Sequence, residues 1–167
     1  MNKRNTLFYL SIGYIVILGV AALAAPWIAP HNPTDQNSDD RFAPPDSVHW
    51  LGTDNFGRDI LSRVIYGSRS ALLVGIVAVS IAVLIGSIVG LVAALAGEAI
   101  DNVLMLLMDS LLSFPTILLA ITVVSFLGYG LIQVMLAIGV IFSPVFARLV
   151  RAETLVIKTE SYVEASR

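Results

Sequence analysis

Four long apolar runs, separated by polar stretches of unequal length, organise this chain of 167 residues. The first is Leu7 to Ile28, preceded by Lys3 and Arg4 and closed by Pro26, Trp27 and Pro30. A helix of about 20 apolar residues covers the hydrocarbon layer, so this run predicts a membrane span. Ala22-Leu23-Ala24 resembles a signal-peptide cleavage site, but the run exceeds the usual core of about 7–15 residues and reads as a retained span. Residues 30–50 then carry Pro30, Pro33, Pro44 and Pro45 with Asp35, Asp39, Asp40 and Asp46, which predicts a solvated loop without helical period.

From Gly57 to Arg69 the pattern turns amphipathic, with Ile60, Leu61, Val64 and Ile65 on one side and Arg58, Asp59, Ser62 and Arg63 on the other. This predicts a short interfacial helix, N-capped by Thr53 or Asp54 and supported by an Asp59–Arg63 pair at i,i+4. Ala71 to Ala96 is an uncharged second span, with Gly75, Gly86, Gly90 and Gly97 as small residues that let helices approach closely. Asn102 to Leu127 is a third span that Pro115 should kink, and Leu131 to Ala147 a fourth. The last stretch, 148–167, is charged, lacks Gly and Pro, and reads as a helix projecting into water. The expected organisation is a terminal span over 1–29, a loop with an amphipathic helix over 30–70, and a partial transmembrane domain over 71–167. Its spans are placed at about 71–96, 102–127 and 131–147. The fold class is all-α integral membrane: four transmembrane helices plus an interfacial amphipathic helix.

Charge sharpens this picture. Only 13% of residues are charged, against about 25% in an average soluble domain. Between Arg69 and Arg148 there is no Lys or Arg, and the acids are Glu98, Asp101 and Asp109 alone. Each ionised side chain at mid-membrane costs roughly 2.5–3.5 kcal/mol on insertion scales, which explains the depletion. Lys3, Arg4, Arg148, Arg151, Lys158 and Arg167 fall on one side of a four-span topology, and Arg41, Arg58, Arg63 and Arg69 on the other. The positive-inside rule then sets the N-terminus in the cytoplasm.

Candidate chemistry is sparse. There is no cysteine, and the only imidazoles, His31 and His49, stand 18 residues apart in a loop, without helical or hairpin spacing. They read as ordinary loop histidines, so neither a metal site nor a cofactor is expected. No phosphate-cradling G-x-x-x-x-G-K-[ST], no G-x-S-x-G and no H-E-x-x-H occurs, so the chain is not expected to be an enzyme, and any ATP-driven motor is expected in another subunit. Asp109, well inside a span, is a candidate intramembrane polar site, although it also reads as a hydrogen-bonding partner of neighbouring helix ends. Asp101 and Asp109 are eight residues apart, roughly 12 Å along a helix, which argues against a catalytic dyad.

The run His49-Trp50-Leu51-Gly52-Thr53-Asp54-Asn55-Phe56-Gly57-Arg58-Asp59-Ile60-Leu61-Ser62-Arg63, continuing to Gly67-Ser68-Arg69, resembles an LGTDxxGRDxxSRxxxGxR signature. That signature belongs to C-type permease subunits of dipeptide, oligopeptide and nickel ABC importers. Asp109 with Leu111-Leu112-Ser113-Phe114-Pro115 resembles the family's third-span pattern. Tyr162-Val163-Glu164-Ala165-Ser166-Arg167 resembles the start of its EAA loop. The resemblance implies a partial type I importer permease in a bacterial cytoplasmic membrane. It also implies a B-type permease partner, two ATP-binding subunits and an extracellular solute-binding protein. Tyr162, Glu164 and Ala165 would contact the ATPase at the start of a coupling helix. The chain stops at Arg167 within that motif, as expected of a truncated frame, a fragment or half of a split gene. A non-transporting membrane scaffold is the alternative expectation.

Overall fold

The computed structural model describes residues 3–159, and these form five α-helices joined by one long loop and three short connections. By contact the chain divides into two compact units, Met1–Leu73 and Val74–Arg167. Among the described residues three helices are long and apolar enough to cross a membrane, and a bent helix pair counted as one span would make a fourth.

The first unit begins with α1 (Lys3–Ile28), whose most apolar stretch is only 6% buried. Leu23 and Trp27 are 79% and 83% exposed, and Leu7, Phe8, Tyr9, Tyr14 and Ile17 are also open. A helix this apolar all round, with its side chains uncovered, has lipid rather than water as its solvent. The chain is a multi-pass membrane protein.

The predicted interfacial helix is instead the opening of α2 (Ile60–Leu95), a single helix of 36 residues. No proline or tight turn separates Arg69 from Ala71, so the backbone ladder continues through the expected break. At 1.5 Å per residue α2 is about 54 Å long, well beyond the roughly 30 Å hydrocarbon layer. Its charged first turns can therefore stand clear of the lipid.

In the second unit the remaining part of α2 crosses α5 (Leu131–Lys158) through small residues. A Cβ on Gly86 would lie 2.5 Å from the Ser143 carbonyl, and one on Gly90 2.5 Å from the Ala147 carbonyl. Ala78, Ala82, Ser143, Pro144 and Ala147 are buried at this crossing. Without a hydrophobic drive between helices in lipid, close backbone approach and its dispersion contacts supply the association. Gly75 faces open space and Gly97 serves a turn at φ +99°, so two of the four predicted small residues make the crossing.

Pro144 continues within α5 rather than ending it. It has no N–H to give the Val140 carbonyl, and the Ser143 hydroxyl donates to that carbonyl instead, at 2.8 Å. The segment after Ala147 extends α5 to Lys158, whose ammonium donates to the Ala94 carbonyl at the end of α2. The predicted third span is a bent pair, α3 (Glu98–Ser113) and α4 (Thr116–Leu127), meeting at 100° across Phe114 and Pro115. Both pack on α5. Hydroxyls along these apolar helices, such as Ser80, Ser110, Thr122 and Ser125, donate to carbonyls four residues back, which satisfies those donors without water.

Candidate functional site

The signature run folds into a hydrogen-bonded knot at the mouth of α2. Gly52 and Gly57 both adopt the left-handed region, φ +72° and +71°. At each the loop passes too close for a side chain: a Cβ would meet the Ala43 carbonyl at Gly52 and the Asn37 carbonyl at Gly57. Across the turn at Gly57, Thr53 and Asp59 pair as an isolated antiparallel bridge. The Thr53 hydroxyl accepts from the Ala43 N–H at 2.9 Å and donates to the Asp40 carbonyl. Thr53 thus sews residues 40–43 onto the signature.

Asp54 is the hub of the turn. Its carboxylate accepts from the backbone N–H groups of Phe56 and Arg58, at 2.8 and 3.1 Å, and from the guanidinium groups of Arg58 and Arg63. Desolvation opposes the charge there, but the Arg58 bond and these backbone donors outweigh it and hold the carboxyl well below the ordinary range.

Asp59, with its side chain 1% exposed, is the N-cap of α2: Oδ2 accepts the Ser62 N–H at 2.8 Å. Two expectations are corrected here. The cap is neither Thr53 nor Asp54, because both are spent inside the turn. The Asp59–Arg63 pair does not form, because Arg63 reaches back to Asp54 while Asp59 turns inward to Ser62 and His49. The amphipathic reading also inverts locally: Asp59 and Ser62 are buried against the loop, while Val64 is 59% exposed. Burial pushes the Asp59 carboxyl up, yet the Ser62 and His49 bonds prevail and set it below its ordinary 3.8. Gly67 and Arg69 lie exposed one to two turns further along α2.

The loop brings together residues that looked unrelated in sequence. The His31 N–H donates to the Ser62 hydroxyl at 3.0 Å, and the His31 and His49 rings lie 4.7 Å apart. His49 Nδ1 is 3.0 Å from Asp59 Oδ1 and His31 Nδ1 3.8 Å from Asp59 Oδ2. The Asp46 carboxylate accepts the N–H groups of Val48 and His49 and orients that turn. Hydrogen bonds from His49 and Val48 lower its carboxyl. No local spacing marks this cluster; only the return of a proline-rich loop onto the helix start creates it.

In the second unit, Asp109 faces Arg148 and Asp101 faces Arg151, two rungs that tie α3 to α5. Asp109 is thus a partner of a neighbouring helix, the plainer of its two readings. An apolar cavity of about 290 Å³ lies between α4 and α5, lined in part by Ile121, Val124, Val134 and Ile138. Tyr162, Glu164 and Ala165 lie outside the described residues.

These elements match known proteins. Residues 3–45 match the N-terminal transmembrane domain of oligopeptide transport permease C. Residues 82–167 match the binding-protein-dependent transport system inner membrane component. The chain belongs to that family. It is 37% identical over 167 residues to the probable D,D-dipeptide transport system permease protein of Escherichia coli K12, covering all of this chain and 56% of that protein. The dipeptide transport system permease protein of Alkalihalophilus pseudofirmus is 36% identical, over 99% of this chain and 54% of its own length. The glutathione transport system permease protein of Pectobacterium atrosepticum is 39% identical, over 92% and 52%. The chain therefore spans about half the length of the curated relatives it matches. The relatives it matches are permease proteins of transport systems.

Proposed function

We propose that the chain is part of the permease of an ATP-driven importer for peptides or for nickel and other metal complexes, in a bacterial cytoplasmic membrane with its N-terminus inside. The observation that carries this reading is the family match over residues 82–167, joined to relatives named for dipeptides, D,D-dipeptides and glutathione. Small peptides are favoured over nickel complexes, since the relatives' names point to peptide-like cargo. The partners are a B-type permease, two ATP-binding subunits and a solute-binding protein outside.

In this arrangement the α3–α5 helices flank the translocation path, with the apolar cavity between α4 and α5 on it. The Asp101–Arg151 and Asp109–Arg148 rungs tie α3 to α5 within the second unit. Tyr162, Glu164 and Ala165 open the EAA loop and seat against the ATPase, so that nucleotide-driven motion reaches α5 directly. Such coupling requires contacts that differ between two states.

Uptake is the direct test. The chain is joined at Arg167 to the C-terminal half of the Alkalihalophilus relative and co-expressed with that organism's B-type permease, ATPases and binding protein in cells lacking dipeptide import. Labelled dipeptide should accumulate, and Glu164→Lys should abolish accumulation while the chimera still inserts. An inserted chimera without uptake overturns the reading and favours a non-transporting scaffold, which would hold its partners without altering ATPase rate.

A further inference from the structure

We propose that His31, His49 and Asp59 form a binding site for a divalent transition-metal cation of the zinc class, at the mouth of α2. The three come from positions 18 and 10 residues apart, yet one ligand atom from each lies within 4.8 Å of the others. A tetrahedral Zn²⁺ with ligand bonds of about 2.0–2.1 Å holds its ligand atoms about 3.3 Å apart. The distances from the Asp59 carboxylate to the two imidazole nitrogens, 3.0 Å from Oδ1 to His49 and 3.8 Å from Oδ2 to His31, lie on either side of that value. The three ligand atoms span at most 4.8 Å, so loading the site draws them together by up to about 1.5 Å.

A second observation points to a ligand independently. Among the described residues His31 Nδ1 is buried and has no hydrogen-bond partner, although it lies 3.8 Å from Asp59 Oδ2. A deprotonated imidazole nitrogen left bare in this way is a lone pair without a partner; a cation between it and Asp59 supplies one. His49 shares the arrangement, its ring tilted 38° to that of His31 so that both nitrogens converge on one carboxylate. Two imidazoles and one carboxylate suit zinc, nickel, copper or iron, whereas magnesium and calcium favour all-oxygen sets.

The surroundings are those of a preorganised site. Asp59 is held by the Ser62 N–H, the Ser62 hydroxyl fixes the backbone of His31, and Asp46 fixes that of His49. Asp59 Oδ2 accepts the Ser62 N–H, and Oδ1 faces His49 Nδ1, whose proton leaves when that nitrogen ligates, so the carboxylate keeps lone pairs for metal. A cavity of about 240 Å³ opens beside the cluster, edged by Asn32, Asp35 and Asp40, with room for a water or substrate ligand in a fourth position. The site lies wholly within the first unit, and its existence does not depend on the transport reading.

The test uses the full chain, purified in detergent with any affinity tag removed and equilibrated against Zn²⁺, with bound metal counted by mass spectrometry. One equivalent should bind, and His31→Ala and His49→Ala should each weaken binding by about 100-fold, at or beyond the upper end of what outer-shell changes do. His31→Ala keeps the backbone N–H that reaches Ser62, so its circular dichroism should match that of the parent. Excess Mg²⁺ should leave the Zn²⁺ in place, and X-ray absorption should show two imidazoles on the metal. Substoichiometric binding at saturating Zn²⁺, binding indifferent to both histidine changes, or displacement by Mg²⁺ would each overturn the proposal.

Discussion

Arg148 on α5 donates two hydrogen bonds to the Asp109 carboxylate on α3, across 39 positions of sequence. The pair accounts for the one acid deep in an otherwise uncharged stretch, since a charge in lipid is tolerated when it meets its opposite. Removing either partner strands the other, so Asp109→Leu and Arg148→Leu should each impair insertion or stability more than the double variant does. The coupling in a double-mutant cycle should be on the order of 1 kcal/mol, because both side chains are about half exposed. Additive effects, measured by unfolding in mixed micelles, would remove the pair from the account.

The α2–α5 crossing depends on absent side chains. Gly90→Leu forces apart the Ala147 carbonyl and the Val150 side chain, and should cost about 1–3 kcal/mol or more. Gly75→Ala, with nothing near its Cβ, should change stability by under about 1 kcal/mol. Equal tolerance of both changes in a detergent-unfolding assay would mean that the two helices do not cross at Gly90.

Gly57 meets two constraints at once, a left-handed backbone and the Asn37 carbonyl lying against it. Gly57→Ala should therefore cost about 1–3 kcal/mol and free residues 33–46 from the signature turn. Limited proteolysis should then cut that stretch at least several times faster, while α1 and α5 stay intact. An unchanged cleavage pattern would contradict the packing described.

Acid should loosen the same loop. Asp54 and Asp59 both have carboxyls held below the ordinary 3.8, so their contribution to stability is complete above that pH and declines as pH falls through the lowered folded values. Protection factors at the Ser62 and Arg58 amides should be flat from about pH 7 to pH 5 and drop below about pH 4. Protection that holds at pH 3, or falls already at pH 6, would contradict the assignment.

Much of the architecture was legible because lipid imposes a strict code. Uncharged runs such as Leu7–Ile28 and Ala71–Ala96 have no other stable environment, so their helicity and burial in membrane follow from composition alone. Pro115 announced a break, since it cannot continue the backbone ladder. The degree of the break, 100° rather than a mild kink, is set by how α3 and α4 each pack on α5. Helix ends were less legible: nothing in Arg69-Ser70-Ala71 says whether an amphipathic turn stops or runs on into a span, and here it runs on.

Helical class and permease kinship therefore rest on patterns that each segment carries alone, because solvation by lipid acts residue by residue. The partnerships do not. Asp59 chose Ser62 and His49 over Arg63, Arg63 chose Asp54, and His31 came to stand beside His49, because a loop of some thirty residues closed onto the first turn of α2. Contacts between distant positions are settled by how the chain returns on itself, and no local spacing encodes that.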